Sequence, residues 1–278
     1  MVHTGFESFH AAYESGVASL VTTKLIADLE TPVSAFLKLT RSRNGNVFLL
    51  ESVEGGSARG RYSIIGMDPD IIWRSHGDRC EINRRPQSDP EAFETLDARP
   101  LDSLRALLAE SAIDAEIDLP PMAAGVFGYL GYDMVRQMER LAPAKPDPIG
   151  LPDSIMIRPT LMAIFDSVRD ELFIVTPVRP RPGVGAKNAW ETAQARLEEA
   201  VQILEGPLDH TPPRADPHLA AGAASSNTGE TEYLDMVARA REYVRAGDIF
   251  QVVLSQRFTA PFELPAFSLY RALRRVNP

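Results

Sequence analysis

Short apolar runs bounded by turn signals mark much of the first 180 residues, and a period near 3.6 appears at 100–109, at 187–204 and twice after residue 228. Strands are predicted at 47–50, behind the turn signal Asn44-Gly45-Asn46, and at 61–65, behind a glycine-rich loop. Further strands are expected at 71–73, 125–132, 155–165 and 172–175, the last a short apolar run of the kind that sits inside a sheet. Leu101, Leu104, Leu107 and Leu108 share one side of a helix over 100–109. Trp190, Ala193, Leu197, Val201 and Leu204 mark an amphipathic helix over 187–204. Pro143, Pro146, Pro148 and Pro152, and the Pro/Gly-rich stretch 176–186, exclude helix interiors there. The pattern is that of an α/β (α+β) protein in which strands outnumber helices.

A change of texture follows. Residues 206–228 hold four prolines, and Leu208 and Leu219 are the only large apolar side chains, so the stretch is predicted to be a surface linker. It separates a first region, 1–205, from a second, 229–278. In the second, Asn227 or Thr228 can cap a helix with Glu230 and Glu232 in its first turn, and Tyr233, Val237, Ala240 and Val244 form its buried stripe. Gly247 supplies a left-handed stop. A strand over 249–258 and a helix over 267–276 are expected next. A helix, one strand and a helix cannot close a core, so this second region reads as incomplete.

Composition removes several classes of function. The chain of 278 residues carries 29 Lys+Arg against 38 Asp+Glu, a net charge of −9. No basic block exists, which argues against a nucleic-acid partner. One cysteine, Cys80, allows no intrachain disulfide and no cysteine zinc cage, and the five histidines form no ligand-spaced pair. His3, Glu7, His10 and Glu14 interrupt the first twenty residues, which are no signal peptide, and the uncharged stretch near 122–132 is far too short to span a membrane. A cytoplasmic protein is expected. There is no Gly-x-Ser-x-Gly elbow, and Cys80 lacks a glutaminase-type glycine turn. Gly125, Gly128 and Gly131 are spaced by three, unlike a dinucleotide loop, and read as close packing of strands or a bulge.

Two stretches are unusual for a core. In Leu49-Leu50-Glu51-Ser52-Val53-Glu54-Gly55-Gly56 an apolar strand runs straight into a carboxylate and a hydroxyl, either a solvated strand end or a ligand contact. In Gly247-Asp248-Ile249-Phe250-Gln251-Val252-Val253-Leu254-Ser255-Gln256-Arg257, alternation puts Phe250, Val252 and Leu254 on one face. Ile249, Gln251, Val253 and Ser255 share the other face, where an amide and a hydroxyl line a cavity or meet solvent.

The run from Phe48 to Gly56, then Gly60-Arg-Tyr-Ser-Ile-Ile-Gly66, resembles the amino-terminal region of anthranilate synthase component I. So does Ala246 to Phe258, followed by Leu269-Tyr-Arg-Ala-Leu-Arg274 and Asn277-Pro278, which is similar to the start of that family's chorismate-binding domain. Ile64 replaces the Phe of the family pattern, and members continue well past Asn-Pro, so the chain reads as an amino-terminal half.

The resemblance implies a sandwich of two antiparallel-rich sheets with outer helices, truncated here. It also implies conversion of chorismate and ammonia to anthranilate and pyruvate with Mg2+, in tryptophan biosynthesis. Ammonia would come from glutamine through a partner amidotransferase, component II. The Mg2+ ligands are expected in the missing half, and the fragment alone is expected to be inactive. Gln251 is the one active-site residue implied, and water-adding relatives carry a lysine there. Glu51 and Ser52 are implied to bind the feedback inhibitor L-tryptophan, with Arg61 a weaker candidate for its carboxylate and Asn277 and Pro278 on the opposite wall. The alternatives are aminodeoxychorismate synthase component I and a non-catalytic tryptophan-binding module.

Overall fold

The computed structural model describes residues 5–43, 45–54, 58–113, 119–120, 122–143, 146–211 and 224–276. The chain divides after His210 into two compact units.

The first unit is built on one eight-stranded antiparallel sheet. Its strands are β1 (Ser19–Ile26), β2 (Phe48–Glu54), β3 (Ala58–His76), β4 (Arg79–Asn83), β5 (Glu94–Leu96), β6 (Phe127–Leu130), β7 (Ser154–Asp166) and β8 (Glu171–Val178). The main order is β1-β8-β7-β3-β4-β5, with β2 added to β3 and β6 added to β7. The mixed helix and antiparallel-strand class is the expected one, and the described residues of this unit carry a single such sheet. Sequence patterning divides β3 in two, because Gly66, Asp68, Pro69 and Asp70 look like loop residues. They are instead continuous strand of 19 residues.

Both faces of this sheet are covered. Ile65 and Met67 of β3, Leu161 and Ala163 of β7, and Ile174 of β8 face a layer of three helices, α1 (Phe6–Glu14), α2 (Pro32–Thr40) and α4 (Ala186–Glu205). Ile65, Met67 and Ile174 are fully buried, and each such side chain stabilises the fold by roughly 1.5–3 kcal/mol. The α4 stripe is Ala189, Ala193, Leu197, Ala200 and Leu204, at helical spacing. A capping box opens α2: the Thr31 hydroxyl accepts from the Ser34 N–H at 3.1 Å and Ser34 Oγ accepts from the Thr31 N–H at 2.9 Å.

On the opposite face, Ile64, Met162 and Ile164 pack with Leu119 and Ala123, and Trp73, Cys80 and Ile82 pack with Leu104 and Leu107 of α3 (Pro100–Ser111). Trp73 donates to the Ser103 hydroxyl at 2.9 Å. The expected strand 125–132 shortens to β6 and gives way to a 3-10 helix, Tyr132–Gln137. Gly128 fits because β6 and β7 run too close for a side chain: a Cβ there would lie 1.9 Å from the Ile155 carbonyl oxygen.

The second unit contains α5 (Glu230–Ala246), α6 (Ala266–Val276) and a minimal ribbon of β9 (Ser225–Ser226) and β10 (Phe258–Thr259). Three expectations are corrected here. The residue capping α5 is Gly229, without a side-chain bond, because Asn227 spends its Oδ1 on the Arg257 N–H at 2.7 Å. No residue of α5 is buried, so its apolar stripe faces no core among the described residues. The strand expected over 249–258 is not formed: its only paired residues are Phe258 and, just beyond, Thr259. A strand exists only through hydrogen bonds to a neighbour, and Ser225–Ser226 is too short to extend the ladder. Ile249, Val252 and Leu254 instead line an apolar hollow with Met236, Ala240 and Tyr243 of α5. The stop at Gly247 is as expected, with φ 81°.

Candidate functional site

Glu51 and Ser52 lie within β2 rather than at its end, because pairing with β3 continues to Glu54. Leu49 opposite Ile65 and Glu51 opposite Ser63 put the Glu51 side chain on the face of the helix layer. Glu51 is half-buried, whereas Leu50, on the other face, is 49% exposed.

The register then slips. Glu51 opposes Ser63, but Val53 opposes Arg59, so Ser52 alone faces three residues of β3. This bulge turns Ser52 outward into an exposed position. The facing backbone is Gly60, where a Cβ would stand 2.1 Å from Ser52 Oγ and 2.7 Å from its carbonyl carbon. Sequence reasoning singles out the serine and takes this glycine only as the start of the run Gly60-Arg-Tyr-Ser, without its closeness to Ser52.

Arg61 holds Asp166. Its Nε lies 3.1 Å from both carboxylate oxygens and its Nη2 lies 2.7 Å from Oδ2. Asp166 is 3% exposed and Arg61 41%. The Arg61 hydrogen bond holds the Asp166 carboxyl below the usual carboxylate range, against the opposing effect of burial. The Val168 N–H also donates to Asp166 at 3.1 Å, so the pair fastens the β7–β8 turn to β3. A ligand carboxylate would have to compete with Asp166 for the same guanidinium. Nothing local in the sequence signals this pairing across 105 positions.

Gln251, in the second unit, is exposed and lies in irregular chain, so the alternation that aims it at a cavity is not realised in the described residues. Asn277 and Pro278 lie outside the described residues. Among the described residues no group of three or more His, Cys, Asp or Glu side chains is arranged to hold a metal ion, and these residues do not fit a Mg2+ site. None of the described helices is long and apolar enough to cross a membrane.

Comparison with known proteins supplies what geometry alone does not. Anthranilate synthase component 1 of Cereibacter sphaeroides is 47% identical over 278 residues, covering 99% of this chain and 55% of the relative. The namesake from Thermus thermophilus is 41% identical over 257 residues, covering 91% and 50%. The chain thus spans about half the length of the relatives it matches. The crystal structure of anthranilate synthase component I from Streptococcus pneumoniae shares the fold, with a TM-score of 0.59 at 24% identity, over 91% of this chain and 52% of that one. Residues 46–278 match the chorismate binding enzymes. Because that match starts just before β2 and runs through the second unit, it takes in both unusual stretches, and the chain belongs to the chorismate-binding enzyme family.

Proposed function

We propose that the chain forms part of an anthranilate synthase component I, which converts chorismate and ammonia to anthranilate and pyruvate in the cytoplasm, in tryptophan biosynthesis. The observation that carries this reading is the 47% identity sustained over 99% of the chain. On this reading, ammonia is delivered from glutamine by component II, a separate amidotransferase. Mg2+ would be held by residues beyond those described, where it would supply stabilisation for developing negative charge. Gln251 positions a reactant: an amide has no useful basicity near neutral pH, and ammonia, unlike water, needs little activation.

Glu51 and Ser52 belong to a tryptophan feedback site. A half-buried carboxylate beside a bulged, exposed hydroxyl on an edge strand supports this, since Glu51 can accept from an α-ammonium and Ser52 can add a neutral bond.

The test joins this chain to the carboxyl-terminal remainder of the Cereibacter sphaeroides relative and follows anthranilate fluorescence with chorismate, ammonium and Mg2+. The fusion should form anthranilate and the 278-residue chain alone should not. Anthranilate from the isolated chain, or aminodeoxychorismate as the product of the fusion, would refute the reading. In the fusion, Glu51→Gln should raise the tryptophan inhibition constant roughly 10- to 150-fold, the loss of one charged hydrogen bond. Unaltered inhibition in both Glu51→Gln and Ser52→Ala would remove the regulatory site.

A further inference from the structure

The polar group that the function leaves unused lies at the carboxyl end of α3, between the two apolar clusters of one sheet face. Arg158 stands in β7 between Ile157 and Pro159, and its side chain is only 7% exposed. It donates from Nε to Asp70 Oδ1 at 2.7 Å and from Nη2 to Asp70 Oδ2 at 2.9 Å. Its Nη1 lies 3.2 Å from Glu110 Oε1. Glu110 is gripped from the other side by Arg84, through bonds of 2.7 and 2.8 Å. The two carboxylates are therefore fully engaged by Arg158 and Arg84.

Two more arginines, just past the end of β8, enter the same cluster. Arg179 donates from Nη2 to the Ser111 carbonyl at 2.8 Å, at the partly negative end of α3. Its Nε is buried and has no hydrogen-bond partner among the described residues. Arg181 approaches Asp70 only to 3.6 Å, beyond hydrogen-bond distance, and is 61% exposed. Among the described residues, four guanidinium groups thus share two carboxylates. Glu94 adds only a weak attraction at Arg84. Burial, and then the like charge of Arg158, push the Arg179 guanidinium down to about 10, so it remains charged at neutral pH in a setting that disfavours the charge.

We propose that Arg179 and Arg181 form the mouth of a binding site for a small multivalent oxyanion, with Arg158, Asp70 and Glu110 as its fixed floor. A guanidinium matches two oxygens of such an anion side by side, and the Arg179 Nε supplies a donor that no described residue engages. The anion offsets the excess of positive charge among the described residues of the cluster, and the exposed Arg181 is the arginine it meets first from solvent. Phosphate and organic polycarboxylates share this chemistry.

Isothermal titration of the 278-residue chain, with ionic strength held constant by NaCl, compares inorganic phosphate with citrate. Saturable binding of at least one is expected, and the one that binds assigns the natural ligand to the phosphoryl or the carboxylate class. Arg179→Gln and Arg181→Gln should each weaken binding roughly 10- to 150-fold, the loss of one charged bond. Arg79→Gln, an equally exposed arginine paired with Glu81, should leave it unchanged. The exposed Arg181 tests the site even if Arg179→Gln unfolds. Binding of neither anion, or equal binding by Arg181→Gln, overturns the proposal.

Discussion

Gly60→Ala is the sharpest probe of the bulge that presents Ser52. The new Cβ would stand 2.1 Å from Ser52 Oγ, 2.4 Å from Ser52 Cβ and 2.7 Å from the Ser52 carbonyl carbon. Rotating the serine hydroxyl relieves only the first contact, so the β2 backbone itself must give way. Overpacking of this kind costs roughly 1–3 kcal/mol. In a unit of about 200 residues each kcal/mol moves the melting temperature by roughly 2–4 °C, so the variant should melt about 2–12 °C lower. Calorimetry on the chain, monitored in parallel by near-ultraviolet circular dichroism, measures the shift. Ser52→Gly removes two of the three clashing atoms, so the double variant should recover most of the loss, a coupling that unrelated destabilisation would not show. A Gly60→Ala chain that melts with the parent, or a double variant no better than the single one, would refute the close approach of Gly60 to Ser52. In the fused enzyme, the same Gly60→Ala change should weaken tryptophan inhibition while chorismate turnover without tryptophan stays near the parent value.

Two further outcomes follow from polar pairs. Trp73→Phe leaves the buried Ser103 hydroxyl without its partner and should cost about 1–3 kcal/mol by denaturant titration, with Ser103→Ala recovering part of that loss in the double variant. Arg61 lowers the Asp166 pKa and Arg84 lowers that of Glu110, so both carboxylates favour the folded state above their unfolded pKa values near 4. Stability should hold from neutral pH to about pH 5 and fall as the pH drops through 4 and below, and Asp166→Asn should flatten that fall; an unchanged acid profile in Asp166→Asn would show that the pair contributes nothing.

The elements legible in the sequence are those whose period is unbroken. The apolar positions of α4 repeat over five turns, and β7 and β8 are near-continuous apolar runs, so their predicted limits lie within a few residues of the observed ones. The amino-terminal elements offer weaker signals. Only Phe9 and Tyr13 of α1 are buried, and α2 is nine residues long. In β1 the buried Thr22, 2% exposed, puts a polar residue where alternation expects an apolar one. Glu51 and Ser52 were visible as polar residues breaking an apolar strand, but the strand's continuation to Glu54 depends on β3. The Arg61–Asp166 pair is non-local and left no trace in the sequence. The 249–258 segment has strand alternation but, among the described residues, lacks the neighbour that would turn it into a strand; Ile249, Val252 and Leu254 lie against α5 while Phe250 and Val253 stay exposed.

Asp70 ties the two halves of this sheet together. Along β3 and β7, Met67 opposes Leu161 and Pro69 opposes Pro159, but Ile71 opposes Arg158, so Asp70 is an extra residue without a partner. One inserted residue reverses the facing of everything beyond it. Before the bulge, odd-numbered Ile65 and Met67 face the layer of α1, α2 and α4. After it, odd-numbered Ile71 and Trp73 face the other side, joining Met156 and forming the apolar floor on which α3 rests. Without the extra residue Trp73 would point away from Ser103, and α3 would have nothing to cover. The same residue, freed from the ladder, turns its carboxylate to Arg158, which β7 places on that face between the clusters around Met162 and Met156. Charge and register at position 70 are therefore separate properties. Asp70→Asn keeps the residue count, and with it the face of Trp73, while removing the counter-ion of Arg158; deleting the residue moves the whole carboxyl-terminal half of β3 to the wrong side. The core beneath α3 and the arginine cluster beside it arise from one insertion in one strand.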